Sequence, residues 1–288
     1  MFGLFDAIVE AINNFLISVI EGNLRSMFND VNTKLAEIST DVGATPQSWN
    51  SGIYSLVDNL AESVILPIAG MIIAFVLCHE LISAIIDRNN MQETDTFLFF
   101  KFFAKAAIAI LIVSNAMTII MGVFDIAQGV VAQSTGVIMG ETFIDIEATL
   151  AAMHETLAAM NTGELFLLMI ETALNSLCMM ALSVCIMIVL YGRMIEIYLY
   201  SSLGAIPLAT LTNKEWNMGN NYIRGLIALA FQAFLILLCV GIYAVLIKSV
   251  TATTDIHGTV FSILCYTVIL CFALFKTSSL SKSIFGAH

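Results

Sequence analysis

The stretch Tyr191-Gly192-Arg193-Met194-Ile195-Glu196-Ile197-Tyr198-Leu199-Tyr200-Ser201-Ser202-Leu203-Gly204-Ala205-Ile206-Pro207-Leu208-Ala209-Thr210-Leu211 decides the topology. Residues 194–211 are apolar enough to pass for a membrane span, yet Arg193 and Glu196 stand at the start and Ser201, Ser202, Gly204 and Pro207 interrupt the run. A span needs roughly 20 mostly apolar residues to cross about 30 Å of hydrocarbon. Five other stretches meet that demand: 64–86, 98–121, 166–190, 225–247 and 258–275. Five or six crossings therefore depends on how 194–211 is read.

The placement of cations separates the two counts, because cytoplasmic loops collect Lys and Arg. With five crossings, Arg88, Lys101, Lys105, Arg193, Lys214, Arg224, Lys276 and Lys282 share the cytoplasmic face and Lys248 alone lies outside, eight against one. With six, Arg88, Lys101, Lys105, Arg193 and Lys248 oppose Lys214, Arg224, Lys276 and Lys282, five against four. Five crossings are expected, with the N-terminus outside and the C-terminus cytoplasmic. Segment 194–211 then becomes re-entrant or interfacial. Irregular backbone is tolerated at membrane depth only where protein or a water-filled cavity surrounds it. A plain amphipathic hairpin lying on the surface is the other reading.

The whole chain agrees with a membrane protein. Of its 288 residues 59% are apolar and 11% charged, with a mean hydropathy of +0.93, whereas a soluble domain is nearer half apolar and a quarter charged. That balance excludes a disulfide scaffold, a disordered tail and an ordinary soluble enzyme. The net charge of −11 argues against a nucleic-acid-binding surface when taken as one sum, but 16 of the 22 acids fall in the outer segments of the five-span layout. Cys78, Cys178, Cys185, Cys239, Cys265 and Cys271 all sit in apolar runs without CxxC spacing, so they read as membrane-buried thiols. The start of the chain has no Lys or Arg before Arg25, unlike a secretory signal.

The expected architecture is all-α: a polytopic membrane protein of about five transmembrane helices, one re-entrant or interfacial helical segment and amphipathic outer helices. It divides into an outer amphipathic region 1–63, transmembrane helices 64–121, an outer helical segment 122–164, and 165–288 with three further spans, the broken segment 191–224 and a cytoplasmic end. In the first region Phe5, Ile8, Ile12, Phe15, Leu16 and Val19 recur at helical spacing. Acids rather than cations fill the opposite side, which favours packing on protein over lying on anionic lipid. In the outer segment, Thr142 and Asp145 have capping-box spacing. Ile146, Leu150, Met153, Leu157 and Met160 then form a stripe suited to self-association or to packing within the subunit. Gly136 and Gly140 give a weak GxxxG.

Enzymatic signatures are absent. The sequence contains no G-x-x-x-x-G-K-[ST], HExxH or G-x-S-x-G, so energy for any transport must come from partners. Cys78-His79-Glu80 is the only tight cluster of ligand types and is too small to close a tetrahedral metal site. No catalytic, cofactor-binding or metal residue is expected, and structural phospholipid is the only non-protein component foreseen. Charges at span ends carry more information. Lys101 and Lys105 share a helix face, and Arg193 and Glu196 are spaced to pair. The lysines either snorkel to headgroups or face a central opening, where a ring of cations could hold nucleic-acid phosphate without reading sequence. Likewise, the Arg–Glu pair either pins a bend or belongs to that opening.

The run from Tyr191 to Glu196, then Ser201 to Ala209, then Trp216 resembles the core of the TrbL family, the polytopic inner-membrane subunits of conjugative type IV secretion systems. The resemblance covers about residues 60–280 and rests on an Arg and an acid after a span, small residues, an A-x-P turn and a Trp. The acidic opening and modest length are most similar to versions carried by integrative conjugative elements of Gram-positive bacteria. What the resemblance implies is a non-enzymatic channel or platform subunit of the bacterial plasma membrane. It would form a homo-oligomeric ring, with a pentamer as the candidate stoichiometry, among other secretion subunits, ATPases and membrane lipid. Single-stranded DNA with its relaxase would pass transiently. Arg193, Glu196, Gly204, Pro207 and Trp216 are then structural or path-lining candidates, joined by Lys101 and Lys105 on spacing alone. Two rival readings are an ion or small-molecule transporter using Glu196, Ser201 and Ser202 at 194–211, and an assembly or anchoring subunit without its own pore.

Overall fold

A computed structural model describes residues 2–86, 96–213, 216–251 and 255–287. Arg88 and Lys214, two of the cations used in the topology count, lie outside the described residues. The described residues form helices and no strand: α1 (Phe2–Val42), α2 (Pro46–Trp49), α3 (Ser51–Leu60), α4 (Leu66–Ile86), α5 (Thr96–Ser114), α6 (Ala116–Thr142), α7 (Ile146–Ala158), α8 (Thr162–Ser202), α9 (Ala205–Ala209), α10 (Met218–Thr251) and α11 (Ile256–Ile284). One π-helical turn, Ala61–Ile65, joins α3 to α4. This is the all-α, polytopic membrane protein expected.

Six helical stretches among the described residues are long and apolar enough to cross a membrane: Phe5–Val42, Ser51–Ser83, Ala116–Ala158, Thr162–Ser202, Met218–Thr251 and Ile256–Ile284. Four of them correspond to the expected spans 64–86, 166–190, 225–247 and 258–275; α1 and Ala116–Ala158, which lies mostly in the expected outer segment 122–164, are additional, and none is centred on 194–211. Residues 194–202 are the last turns of α8, and the remainder is a turn and the short α9. The expected span 98–121 breaks at Asn115, between α5 and α6.

The residues group into two compact units. The first comprises Met1–Gly43, Val130–Leu190 and Phe234–Thr277. Here α1 buries Ile20, Leu24, Phe28, Val31 and Ile38 on one face and packs on α7. Leu150, Met153 and Leu157 of the α7 stripe are buried, so that stripe is used within the subunit. The N-terminal part of the α1 stripe is not: Phe5, Ile8, Ile12 and Phe15 are exposed. The cap of α7 is Asp145, which accepts from the Ala148 amide. Thr142 instead closes α6 through its own Ile138 carbonyl, so the predicted capping box does not form. Polar seams hold the unit: Asn32 brackets the Ile144 backbone at 2.9 and 3.2 Å, Asn175 donates to the Val260 carbonyl at 2.7 Å, and Arg25 grips Glu147 with both guanidinium nitrogens.

The second unit comprises Ala44–Gly129, Tyr191–Ala233 and Ser278–His288. Its core joins Ala69 and Ile73 of α4, Val113 of α5, Ile120 and Phe124 of α6, Met194 and Ile197 of α8, Leu208 of α9, and Leu226 and Leu229 of α10. Thr45 and Asn50 cap α2 and α3 with side-chain oxygens, satisfying amides that each helix start would leave orphaned. Every candidate site residue lies in this unit.

Candidate functional site: the hairpin after α8

The helix α8 does not stop where the apolar run does. It carries Arg193 and Glu196 as ordinary helical residues and ends at Ser202. Arg193 is 5% exposed, and its Nε donates to the Leu229 carbonyl of α10 at 3.5 Å. Glu196 accepts from Lys282 Nζ of α11 at 2.8 Å. The predicted Arg193–Glu196 pair is therefore replaced by two separate partners. Three residues advance a helix by about 300°, which is enough here to turn the guanidinium towards α10 and the carboxylate towards α11.

Beyond α8 the chain reverses, and the reversal is built from aromatic and glycine contacts. The Tyr200 and Tyr222 rings stack at 4.7 Å with 4° between planes. Each hydroxyl donates to the other's carbonyl, Tyr200 to Tyr222 at 3.3 Å and Tyr222 to Tyr200 at 3.1 Å. This clasp needs two positions without a Cβ: at Gly225 one would strike the Tyr200 hydroxyl, and at Gly204 one would strike the Tyr222 hydroxyl and Ile120. Gly204, a candidate from the sequence, is thus a packing residue.

Pro207 lies in α9, buried together with Ala205, Leu208 and Ala209. A first-turn position costs it no hydrogen bond, because that amide would have no helical acceptor. Its carbonyl accepts from Thr210 Oγ1 at 2.8 Å, and the same hydroxyl accepts from the Gly219 amide at 3.1 Å. The short helix packs on α4 and α5, with Leu208 at 2%, Ala209 at 1% and Thr210 at 0% exposed. A plain hairpin lying on a surface is excluded by that burial. Trp216 sits 6.1 Å from Phe75 of α4, beside an apolar cavity of about 290 Å³ that also involves Ile68, Met71 and Ile206.

The two lysines part company. Lys105 Nζ meets Glu80 of α4 at 2.5 Å, whereas Lys101 is exposed. Glu80, noted in the sequence only as part of Cys78-His79-Glu80, is in fact the ion-pair partner of Lys105. The three side chains of the transporter reading also diverge. Glu196 is held by Lys282, Ser202 bonds the Leu199 carbonyl at 2.8 Å, and Ser201 lines a different cavity beside Tyr54, Asp58 and Glu62.

Contacts around α8 also revise the sidedness argument. Tyr198 donates to the Pro46 carbonyl at 2.6 Å and Trp49 packs edge-on against Tyr191 at 5.2 Å. The charge count had assigned residues 46–62 and 191–205 to opposite faces. That count assumes each apolar run ends at a membrane face, but α8 has 41 residues, about 61 Å at the helical rise, and continues well past its apolar stretch. No sequence signal joined these segments, since aromatic partners distant in the chain have no spacing to reveal them.

Comparison with known proteins adds one finding. No curated protein and no solved structure matches the chain. Residues 31–205 match the family described as TrbL/VirB6 plasmid conjugal transfer like protein, a family of structural conjugation components rather than known enzymes. The match spans α1 from Val31 through the Ser201–Ala205 reversal, and so includes Lys101, Lys105, Arg193, Glu196 and Gly204. It stops before Pro207 and Trp216. This multi-pass membrane protein belongs to the TrbL/VirB6 plasmid conjugal transfer-like family, and so to the components of conjugal transfer and type IV secretion.

Proposed function

We propose that the chain is a channel or platform subunit that assembles into a homo-oligomeric ring in the bacterial plasma membrane, through which single-stranded DNA with its relaxase is moved by separate ATPases. The observation that carries this reading is the reversal after α8, which begins within the family match and whose short α9, just beyond it, packs on α4 and α5, with the cation Lys101 exposed on α5. Large apolar side chains also remain uncovered by the chain itself, including Phe100, Phe103 and Leu111 on α5 and Leu177, Met180 and Met187 on α8. Lipid and neighbouring copies are the covers this function supplies. The apolar cavity beside Trp216 suits an acyl chain of a structural phospholipid. An N-terminus outside and a C-terminus in the cytoplasm is the orientation proposed from the loop cations of the sequence, and reporter fusions at both termini test it against the contacts around α8.

Lys101 is the better path-lining candidate, because Lys105 spends its charge on Glu80. Substituting Lys101→Gln should lower transfer efficiency while insertion and oligomer size stay unchanged, and Lys105→Gln should do less. Full transfer by the Lys101→Gln strain would remove Lys101 from the path. An image of the detergent-purified particle tests the ring directly, and a monodisperse monomer would refute it.

A further inference from the structure

Tyr54, Asp58 and Glu62 are spaced four apart along α3 and the π-turn. They line a cavity of about 180 Å³ whose other polar walls come from Ser114, Asn115 and Thr118 at the α5–α6 break and from Ser201 near the end of α8. All belong to the second compact unit. Asn115 Nδ2 is already used, donating to the Leu111 carbonyl at 2.8 Å, which leaves its amide oxygen as an acceptor. Neither Asp58 nor Glu62 makes an ion pair with a Lys, Arg or His among the described residues.

Ser201 makes this more than an acidic cluster. Its side chain is 2% exposed and its Oγ has no hydrogen-bond partner. A helical serine can bond a carbonyl one turn back, as Ser202 does. Leaving a buried hydroxyl unpaired is costly, so an unmatched Oγ lining a polar cavity points to a ligand there. The donor set is oxygen throughout: two carboxylates, hydroxyls and an amide carbonyl. Hard cations prefer such oxygens, and two carboxylates balance a double charge. Like charges at i,i+4 on one helix face repel, and a cation between them would reverse the sign of that term. A π-turn is also a common mark of functional sites.

We propose that this cavity binds a hydrated divalent cation, Mg²⁺ or Ca²⁺, held by Asp58 and Glu62 at one side and by Ser201 at the other. The bound ion ties the π-turn, the break between α5 and α6, and the end of α8 into one element, immediately beside the reversal that carries the candidate functional residues.

The test uses the full-length protein purified in detergent and stripped with EDTA. CaCl₂, MgCl₂ or NaCl is titrated at constant ionic strength while the thermal unfolding midpoint is followed. A saturable rise with one or both divalent ions, not reproduced by NaCl and absent in the Asp58→Asn/Glu62→Gln double variant, is expected. No rise, or the same rise in that variant, overturns the proposal and marks the ion as adventitious. Should the double variant fail to fold, Ser201→Ala keeps both carboxylates and should weaken the apparent affinity several-fold; unchanged affinity overturns the proposal equally. Tb³⁺ supplies a second readout at fixed temperature: luminescence sensitised through Tyr54 should be displaced by CaCl₂ and reduced by Tyr54→Phe, and a signal insensitive to both counts against the site.

Discussion

Residues 1–43, 130–190 and 234–277 carry thirteen acidic and four basic side chains, whereas residues 44–129, 191–233 and 278–288 carry five of each among those described. The packing differs in the same way. The acidic unit adds exposed polar seams, such as Arg25 to Glu147 and His154 to Glu21, to its buried apolar core. The balanced unit relies on buried aromatic and glycine contacts and on a guanidinium sealed against a helix carbonyl. An exposed pair competes with water at every moment, while a close-packed contact has no substitute when a side chain changes. The exposed seams of the first unit should therefore be tolerant of substitution and salt-sensitive, and the buried contacts of the second intolerant and salt-insensitive.

The strongest challenge to this contrast is Gly225→Val, which drives a side chain into the Tyr200 hydroxyl and opens the clasp. Overpacking of this kind costs about 1–3 kcal/mol or more, and it should appear as a clear drop in unfolding midpoint by circular dichroism in detergent. Next comes Arg193→Ala, which removes buried aliphatic stem as well as charge and should cost on the order of 1–3 kcal/mol. Arg193→Met should recover most of that loss, since apolar replacement of a buried charge is often neutral or better. A smaller effect is expected for Glu80→Gln, with a loss below about 1 kcal/mol for a partly exposed pair. Smallest of all is Arg25→Gln in the acidic unit, whose unfolding midpoint should match the parent in 0.5 M NaCl, a concentration of about that order screening exposed charges within a few ångströms. A larger loss from Arg25→Gln than from Gly225→Val would invert the comparison.

Much of the fold was legible from the sequence because apolar length is a strong signal. Four of the expected spans, 64–86, 166–190, 225–247 and 258–275, correspond to membrane-length helices, whereas 98–121 is divided at Asn115 and 194–211 forms no membrane-length helix of its own. What escaped was length beyond the apolar run: α1 reads as amphipathic by its spacing, yet it extends over 41 residues and is membrane-length by composition. Side-chain partners were less legible than elements. Helical spacing could nominate Arg193 with Glu196 and Lys101 with Lys105, but it could not show that Leu229, Lys282 and Glu80 compete for them across 25 to 86 positions of chain. Asp58 and Glu62 read in the sequence as two more outer acids, and no spacing signals that they line one cavity with Ser201. Gly204 stands out in the sequence only as a small residue of the TrbL-like motif, whereas the Tyr222 hydroxyl and Ile120 that a Cβ there would strike give the physical reason for it.

The Tyr200–Tyr222 clasp has a consequence for the segment it encloses. It fastens the two ends of a 21-residue bight (residues 201–221) through two reciprocal hydrogen bonds from side chain to backbone. Doubling the length of a closed loop costs only about 0.6 kcal/mol. Changes of length within the bight should thus leave α8 and α10 in register, because the clasp and not the enclosed chain fixes the distance between them.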